Sequence, residues 1–504
     1  MTHTAEHELV RAAPTLREAF VAHGYDADGL ISLLGPSGMA ALDRGEPAPI
    51  RAACEAQGPL GVLARLFILG DAVAEEDAAA ALAPMKLEQA ISAGYVTRSE
   101  EGIAGEWDIR PLDAGTGTRW MISDPDGSLR LREPRRDHVL GVGAASLSLL
   151  RATPARRAGT VLDVGTGCGI QAIHAATYGE RIVATDVSER ALLVTRAALA
   201  LNGLEADVRH GSWFEPVAGE QFDQIVANPP FVVGGTDVEL VYRDSGLELD
   251  GASEVMVRDS IDHLRPGGIA VMLASWVHLD GEDRRARVAS WLPGHGIDAW
   301  IVQRDVADPD LYVSTWLRDA DADLRDPRGQ ERQQRWLSYL RKRDVTGVGF
   351  GFVFLRRTDA PSDILCEDLM QGFDDPLGDE ALRYLDRVEW LRDHDVLDAR
   401  FALNPTVALE KVLVPGEEGW APAVTRVHRG DGPRWQHEID ELGTMVLAGV
   451  RPDGLPLGEV VELAALASGE DPDEVLPQAV VLAEGLVRHG LLVPADLAEG
   501  GGPA

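Results

Sequence analysis

The 504-residue sequence is short of cysteine, of positive charge and of long apolar runs, and each shortage excludes something. Its three cysteines, Cys54, Cys168 and Cys366, lie too far apart for a CxxC metal pair and cannot make an even disulfide framework. Neither a structural metal site nor a disulfide-stapled secreted fold is expected. No uninterrupted apolar stretch approaches the roughly 20 residues that cross a bilayer, and the opening MTHTAEHELVRAAP lacks the basic-then-apolar order of a signal peptide. The expectation is a cytoplasmic chain that makes no membrane contact. Against 82 Asp plus Glu stand only 47 Lys plus Arg, a net charge of −35, which opposes a whole-surface grip on nucleic acid. A polyanion would have to find a local patch.

What is present is ordinary globular material, 45% hydrophobic and 26% charged, in a chain long enough for about two to four domains. The acidity is uneven: residues 1–134 carry 21 acids and 11 bases, 135–357 carry 31 and 26, and 358–504 carry 30 and 10. The near-neutral middle third holds two basic clusters, Arg284, Arg285, Arg287 and Arg332, Arg335, Arg341, Lys342, Arg343. An anionic ligand would be handled there, unless these are simply solvated helix faces.

Leu9, Ala13, Leu16, Phe20 and later Leu60, Leu63, Phe67 recur at helical spacing, so residues 5–90 read as short helices. Tyr95-Val96-Thr97-Arg98 and Trp107-Asp108-Ile109-Arg110, separated by glycine turns, read as a β-hairpin after them. The order is that of a winged-helix-like module. Residues 436–495 repeat it: helices over Ile439–Ala448, Leu457–Ala467 and Glu474–His489, then a strand at Gly490–Val493, with a disordered tail expected from Ala495. With few bases and many acids, this second module fits packing or protein contact better than DNA binding.

The middle of the chain carries the chemistry. Thr160-Val161-Leu162-Asp163-Val164 runs into Gly165-Thr166-Gly167-Cys168-Gly169 and then a helical stretch from Ile170. That is a strand, a turn whose glycines permit positive φ and close backbone approach to a ligand, and a helix. A second strand, Arg181–Asp186, ends in an acid 19 residues after Gly167, placed to accept hydrogen bonds from both hydroxyls of a ribose. An adenosine-containing cofactor follows. The spacing is GxGxG rather than GxGxxG, and Asp163 just before the turn would repel a pyrophosphate but could hold an ammonium, so S-adenosylmethionine is favoured over a dinucleotide. A further strand, Phe222–Ala227, leads into Asn228-Pro229-Pro230-Phe231.

Asp163–Gly169, Asp186 and Asn228–Phe231 together resemble the class I S-adenosylmethionine-dependent methyltransferases of the NPP[FY] group. That group includes release-factor glutamine, small-domain ribosomal RNA guanine-N2 and DNA adenine-N6 methyltransferases. The resemblance covers about 135–357 and implies a Rossmann-like α/β domain with a seven-stranded sheet, flanked by the mostly helical N- and C-terminal segments, giving domains at 1–134, 135–357 and 358–504. Leu264–Ile269 resembles the turn before the fifth strand, and strands near Ala299–Arg304 and Gly347–Leu355 would complete the sheet. The implied cofactor site comprises Asp163, Gly165, Thr166, Gly167, Gly169, Asp186, Val187, Ser212, Trp213 and Asn228. Ser212 stands where an acid commonly faces the adenine amine, and Asp137–Ser146, with His138, resembles the segment that covers the cofactor. Asn228, Pro229, Pro230 and Phe231 are the implied catalytic group, and Tyr242 and Arg243 the implied acceptor wall. No metal is implied.

The NPPF chemistry has its own logic. An amide or exocyclic amine nitrogen shares its lone pair with a carbonyl or ring and is a poor nucleophile. The Asn228 side-chain oxygen and the Pro229 carbonyl can accept its two N–H groups, aim it, and favour localisation of the lone pair. Consecutive prolines stiffen the turn, and Phe231 offers a stacking face. The acceptor is expected to be an RNA base amine first, on domain order and the arginine clusters. A protein glutamine is second, then a small-molecule amine, with a non-catalytic S-adenosylmethionine sensor as the reading outside enzymes.

Overall fold

The computed structural model describes residues 3–113, 115, 117–130, 135–230, 232–234, 246–319, 323–373, 376–416 and 419–499. The chain falls into two compact units, one made of Met1–Leu150, Ala155–Pro293 and Asp305–Val353, the other of Arg151–Pro154, Gly294–Arg304 and Phe354–Ala504.

The first unit opens with helices at His3–Ala22, Ala27–Asp43, Pro47–Cys54, Gly58–Ala64, Glu75–Leu82 and Leu87–Ser92. Two hairpins follow, Val96–Ser99 with Gly102–Gly105 and Asp108–Asp113 with Thr118–Ser123. The single hairpin expected from Tyr95–Arg98 and Trp107–Arg110 is therefore corrected to two. Gly102 at φ 132° closes the first one early, and a Cβ there would lie 2.3 Å from the Val73 carbonyl oxygen.

Next comes the α/β core: β1 (Ala158–Val164), α1 (Ile170–Ala175), β2 (Gly179–Asp186), α2 (Glu189–Asn202), β3 (Asp207–His210), β4 (Phe222–Ala227), α3 (Gly251–Ser260) and β5 (Leu264–Leu279). It continues through β6 (His295–Ala307), α4 (Pro309–Asp319), α5 (Pro327–Arg341), β7 (Val345–Pro361) and β8 (Ile364–Asp368). Val161, Leu162 and Val164 of β1 are all buried, as in a strand covered on both faces. In the first unit the strand order is β7-β5-β4-β1-β2-β3, with β1, β2, β3, β4 and β5 paired in parallel along that order. The chain leaves β1 first toward β2 and later returns to β4 on its other side. That reversal opens a crevice at the carboxyl ends of β1 and β4, where α/β sheets bind ligands. Leu9, Leu16, Phe20, Trp120 and Ile122 share one apolar cluster with Ile173, Val194, Ala198 and Leu201 of α1 and α2.

In the second unit β6 and β8 pair in parallel over Ala299–Gln303, so an eighth strand accompanies the seven expected. The helix Leu377–Asp393 carries buried Glu380, which binds Arg387 at 2.6 Å and Arg429 at 2.9 Å. A long hairpin, Val407–Gly416 with Gly419–Arg429, precedes helices at Glu441–Gly449, Leu457–Ser468 and Pro472–Arg488. The terminal strand Leu492–Pro494 pairs with Phe401–Leu403, a partner upstream of all three helices. Ala495–Glu499 form a helix where disorder was expected. Among the described residues no helix is long and apolar enough to cross a membrane.

Candidate active site

The crevice is a cavity of 550 Å³ formed wholly by residues of the first unit. At its floor the turn after β1 carries Gly165, Gly167 and Gly169 at φ 73°, 56° and 85°, conformations that side chains rarely adopt. The amides of Gly165 and Thr166 both donate to the Thr185 carbonyl at 2.9 Å, which ties the turn to β2.

Two carboxyls flank this turn. Asp163 is buried; its Oδ2 accepts from Thr166 Oγ1 at 2.7 Å and from the Ala172 amide at 3.0 Å. Its Oδ1 has no partner among the described residues. Burial is the largest influence on this carboxyl and pushes it up to about 7, with nearby Asp186 adding to the rise against the two hydrogen bonds. Asp186, at the end of β2, accepts from the Gly167 amide at 3.0 Å and the Ser188 amide at 2.8 Å. Burial raises it too, opposed by these backbone donors. Beside it Val187 is 52% exposed and presents an apolar face to the cavity.

Ser212 and Trp213 of the loop after β3 line the same cavity, Trp213 in the left-handed region at φ 50°. From the fourth strand come Asn228, Pro229 and Pro230. The Asn228 side chain makes no hydrogen bond among the described residues. Pro229 and Pro230 lack an N–H, so the backbone here offers acceptors without competing donors. Met256 and Trp316 complete the wall.

Above the turn lies the segment Asp137–Ser146, His138 included. It is tied down by Asp124, which accepts from the Val139 amide at 2.9 Å and from Arg190 Nε at 2.8 Å. The Asp124 amide returns a bond to the Val139 carbonyl at 3.0 Å. Desolvation lowers the His138 imidazole, and Asp124 opposes this. Sequence reasoning did not single out Asp124 or Arg190, because their meeting joins the second N-terminal hairpin to α2.

The expected cofactor residues are thus brought together with Asn228, Pro229 and Pro230. Phe231, Tyr242 and Arg243 lie outside the described residues. In the arginine clusters, Arg287 pairs with Asp250 at 2.7 Å, Arg343 with Glu248 at 2.8 Å, and Arg335 with Glu331 at 3.3 Å across an exposed helix face. Among the described residues no three His, Cys, Asp or Glu side chains are placed to hold a metal ion.

Lining residues Asp137, Asp163 and Asp186 are acidic, and no lysine or arginine lines the cavity among the described residues. Such a site opposes a pyrophosphate and accepts a ligand bearing ammonium and sulfonium charge. A glycine turn at a sheet reversal, a buried carboxyl with a spare oxygen and a second carboxyl at the end of β2 define an α/β nucleoside-cofactor site of the methyltransferase kind.

Comparison with known proteins finds partial matches. Residues 140–280 match the methyltransferase small domain. Residues 22–106 and 382–494 match two domains of unknown function, DUF7059 and DUF7782. The chain is 36% identical over 130 residues to ribosomal RNA small subunit methyltransferase C of Enterobacter sp. (strain 638), covering 25% of this chain and 34% of that protein. It is 33% identical over 126 residues to release factor glutamine methyltransferase of Gloeobacter violaceus, covering 22% and 44%. The chain therefore spans less than half the length of these relatives. The solved Thermus thermophilus 16S rRNA N2 G1207 methyltransferase aligns at TM-score 0.28 and 21% identity, over 44% of this chain and 58% of that one.

Proposed function

We propose that the chain transfers a methyl group from S-adenosylmethionine to a planar nitrogen, an exocyclic base amine of RNA in the first instance. The observation that carries the reading is Asn228, whose side chain has no hydrogen-bond partner among the described residues and which lines the cavity that also holds Asp163 and Asp186. In this reading the Asp163 carboxylate receives the cofactor ammonium and Asp186 the ribose hydroxyls. Gly165, Thr166, Gly167 and Gly169 let the backbone approach, Val187 and Trp213 give apolar surface, and Ser212 meets the adenine amine. The bound cofactor supplies an electrophilic methyl group. Asn228 Oδ1 and the Pro229 carbonyl accept the two N–H groups of the acceptor nitrogen, which aims its lone pair and disfavours its delocalisation. Pro230 stiffens this turn; Phe231, Tyr242 and Arg243 are assigned to the acceptor on motif grounds alone.

RNA stands first because the match to the ribosomal RNA enzyme is the higher in identity and covers more of this chain, and because a full N-terminal domain precedes the catalytic core. A glutamine amide is the second reading, favoured by the pairing of Arg287 and Arg343 with acids, which lowers the positive charge offered to RNA. The winged-helix-like order of the flanking segments is assigned to packing or protein contact.

Incubating the protein and tritiated S-adenosylmethionine with lysate from a strain lacking it, then dividing the product between RNase, DNase and protease, tests the reading. RNase-released label is expected. Protease-released label selects glutamine or a related side chain, DNase-released label a DNA base, and no macromolecular label a small acceptor or a sensor. Asn228→Ala should cut turnover by roughly 10²-fold while leaving cofactor affinity within twofold, as loss of a preorganised transition-state contact does. Equal loss of both would remove the role given to Asn228.

A further inference from the structure

The turn that carries Asn228 is short of backbone donors. β4 ends at Ala227, and Pro229 and Pro230 have no N–H to give. The first described residues beyond, Val232 to Gly234, are fastened from outside. The Val233 amide donates to the Tyr312 hydroxyl at 2.6 Å, and Trp336 Nε1 donates to the Val233 carbonyl at 3.1 Å. Both polar groups of one fully buried residue are thus satisfied by aromatic side chains, one from α4 and one from α5. A third tie runs from the Leu249 amide to the Gly234 carbonyl at 3.0 Å.

The two helices form their own packed block. Val232, Val233, Val277, Tyr312, Leu317, Leu337 and Val345 share one apolar cluster, with Trp316 and Trp336 packed against it. Tyr312 stacks on Phe350 with ring centroids 5.7 Å apart and meets Trp336 edge-on at 6.1 Å. Neither ring can turn without disturbing the other, so the donor and acceptor offered to Val233 are fixed in direction.

We propose that Tyr312 and Trp336 are positioning residues for methyl transfer. By gripping the Val233 peptide groups they hold Asn228 and Pro229 where the acceptor nitrogen must bind. This rests on the N-methyl transfer reading above. The grip acts on the acceptor side: the carboxyls Asp163 and Asp186 sit at the ends of β1 and β2 and make no bond to α4 or α5 among the described residues, although Trp316 of α4 lines the same cavity.

The test is Tyr312→Phe in the full chain, which keeps the ring and removes the oxygen. Three readings are taken: hydrogen exchange of the peptide containing Val233, the dissociation constant of S-adenosylhomocysteine, and the steady-state constants of the transfer. Exchange at Val233 should quicken by about tenfold, the loss of roughly one buried hydrogen bond. Affinity for S-adenosylhomocysteine should stay within twofold, and kcat should fall about tenfold with KM for S-adenosylmethionine unchanged. Trp336→Phe, which removes the donor to the Val233 carbonyl, is the second variant and should show the same split of kcat from cofactor affinity. Unchanged exchange at Val233, or kcat and cofactor affinity falling together in both variants, would overturn the proposal. If the wild-type chain methylates nothing, the N-methyl transfer reading fails by itself, whereas exchange at Val233 still decides whether the grip exists.

Discussion

The buried carboxyl of Asp163 makes a quantitative demand on cofactor binding. In the ligand-free chain burial holds it near pH 7, far above the ordinary 3.8, and an ammonium partner needs its charged form. Below pH 7 each further pH step down therefore costs the ligand close to tenfold in affinity. Between pH 7 and pH 5 the dissociation constant of S-adenosylhomocysteine, whose ammonium stays protonated over that range, should rise about fifty-fold. The same raised carboxyl governs stability. Because the folded state holds this proton more tightly than the unfolded chain, Asp163 stabilises most below pH 4, and that contribution is lost as the pH climbs through about 7. Raising the carboxyl from 3.8 to about 7 corresponds to about 4 kcal/mol. Asp163→Asn keeps an acceptor for Thr166 and Ala172 and needs no charge. Without ligand it should be more stable than the wild type at pH 8, by up to about 4 kcal/mol, and equal to it at pH 4. Its cofactor affinity should be low and independent of pH. Calorimetric titration from pH 5 to pH 7, together with denaturant unfolding of both proteins at pH 4 and pH 8, measures each quantity. A flat dissociation constant in the wild type, or no gain in stability for Asp163→Asn at pH 8, would refute the reasoning.

Two further substitutions separate the parts of the site. Asp186→Ala removes the acceptor for the Gly167 and Ser188 amides and the expected ribose partner; S-adenosylhomocysteine should bind at least tenfold more weakly by calorimetry, with 2′,3′-dideoxyadenosine, which lacks both hydroxyls, losing less. Asp124→Ala leaves Arg190 without its buried partner and frees the segment over the turn, so stability to urea should fall by about 3 kcal/mol and cofactor affinity should drop with it. An Asp124→Ala chain that is destabilised but binds cofactor normally would show that the tie serves the fold alone.

The glycine turn and the two carboxyls that line the cavity were legible in the sequence because they are local. Strand, glycine turn and helix occupy consecutive residues, and Asp186 closes the next strand at a readable interval. Asn228 and the prolines were legible for the same reason. What the sequence hid depends on distant pairing. Arg287 and Arg343 read as a basic surface, yet Asp250 and Glu248, their partners, lie 37 and 95 positions away. Tyr312 and Trp336 read as helix-face aromatics, and nothing near them points to Val233. The N-terminal strands were misjoined because alternation shows that strands exist without showing which two pair.

The apolar cluster that joins Leu9, Phe20 and Trp120 to Val194 and Leu201 bears on how this protein can be inherited. α2 reaches the cavity through Ala191, and its apolar side packs against the helices that precede the methyltransferase segment. A gene encoding the methyltransferase segment alone would express a protein with that greasy face in water, prone to aggregate before it met a cofactor. Recombination that swaps the leading helices for another domain must supply a matching surface or lose the enzyme. The heritable catalytic module of this chain is therefore larger than its methyltransferase fold.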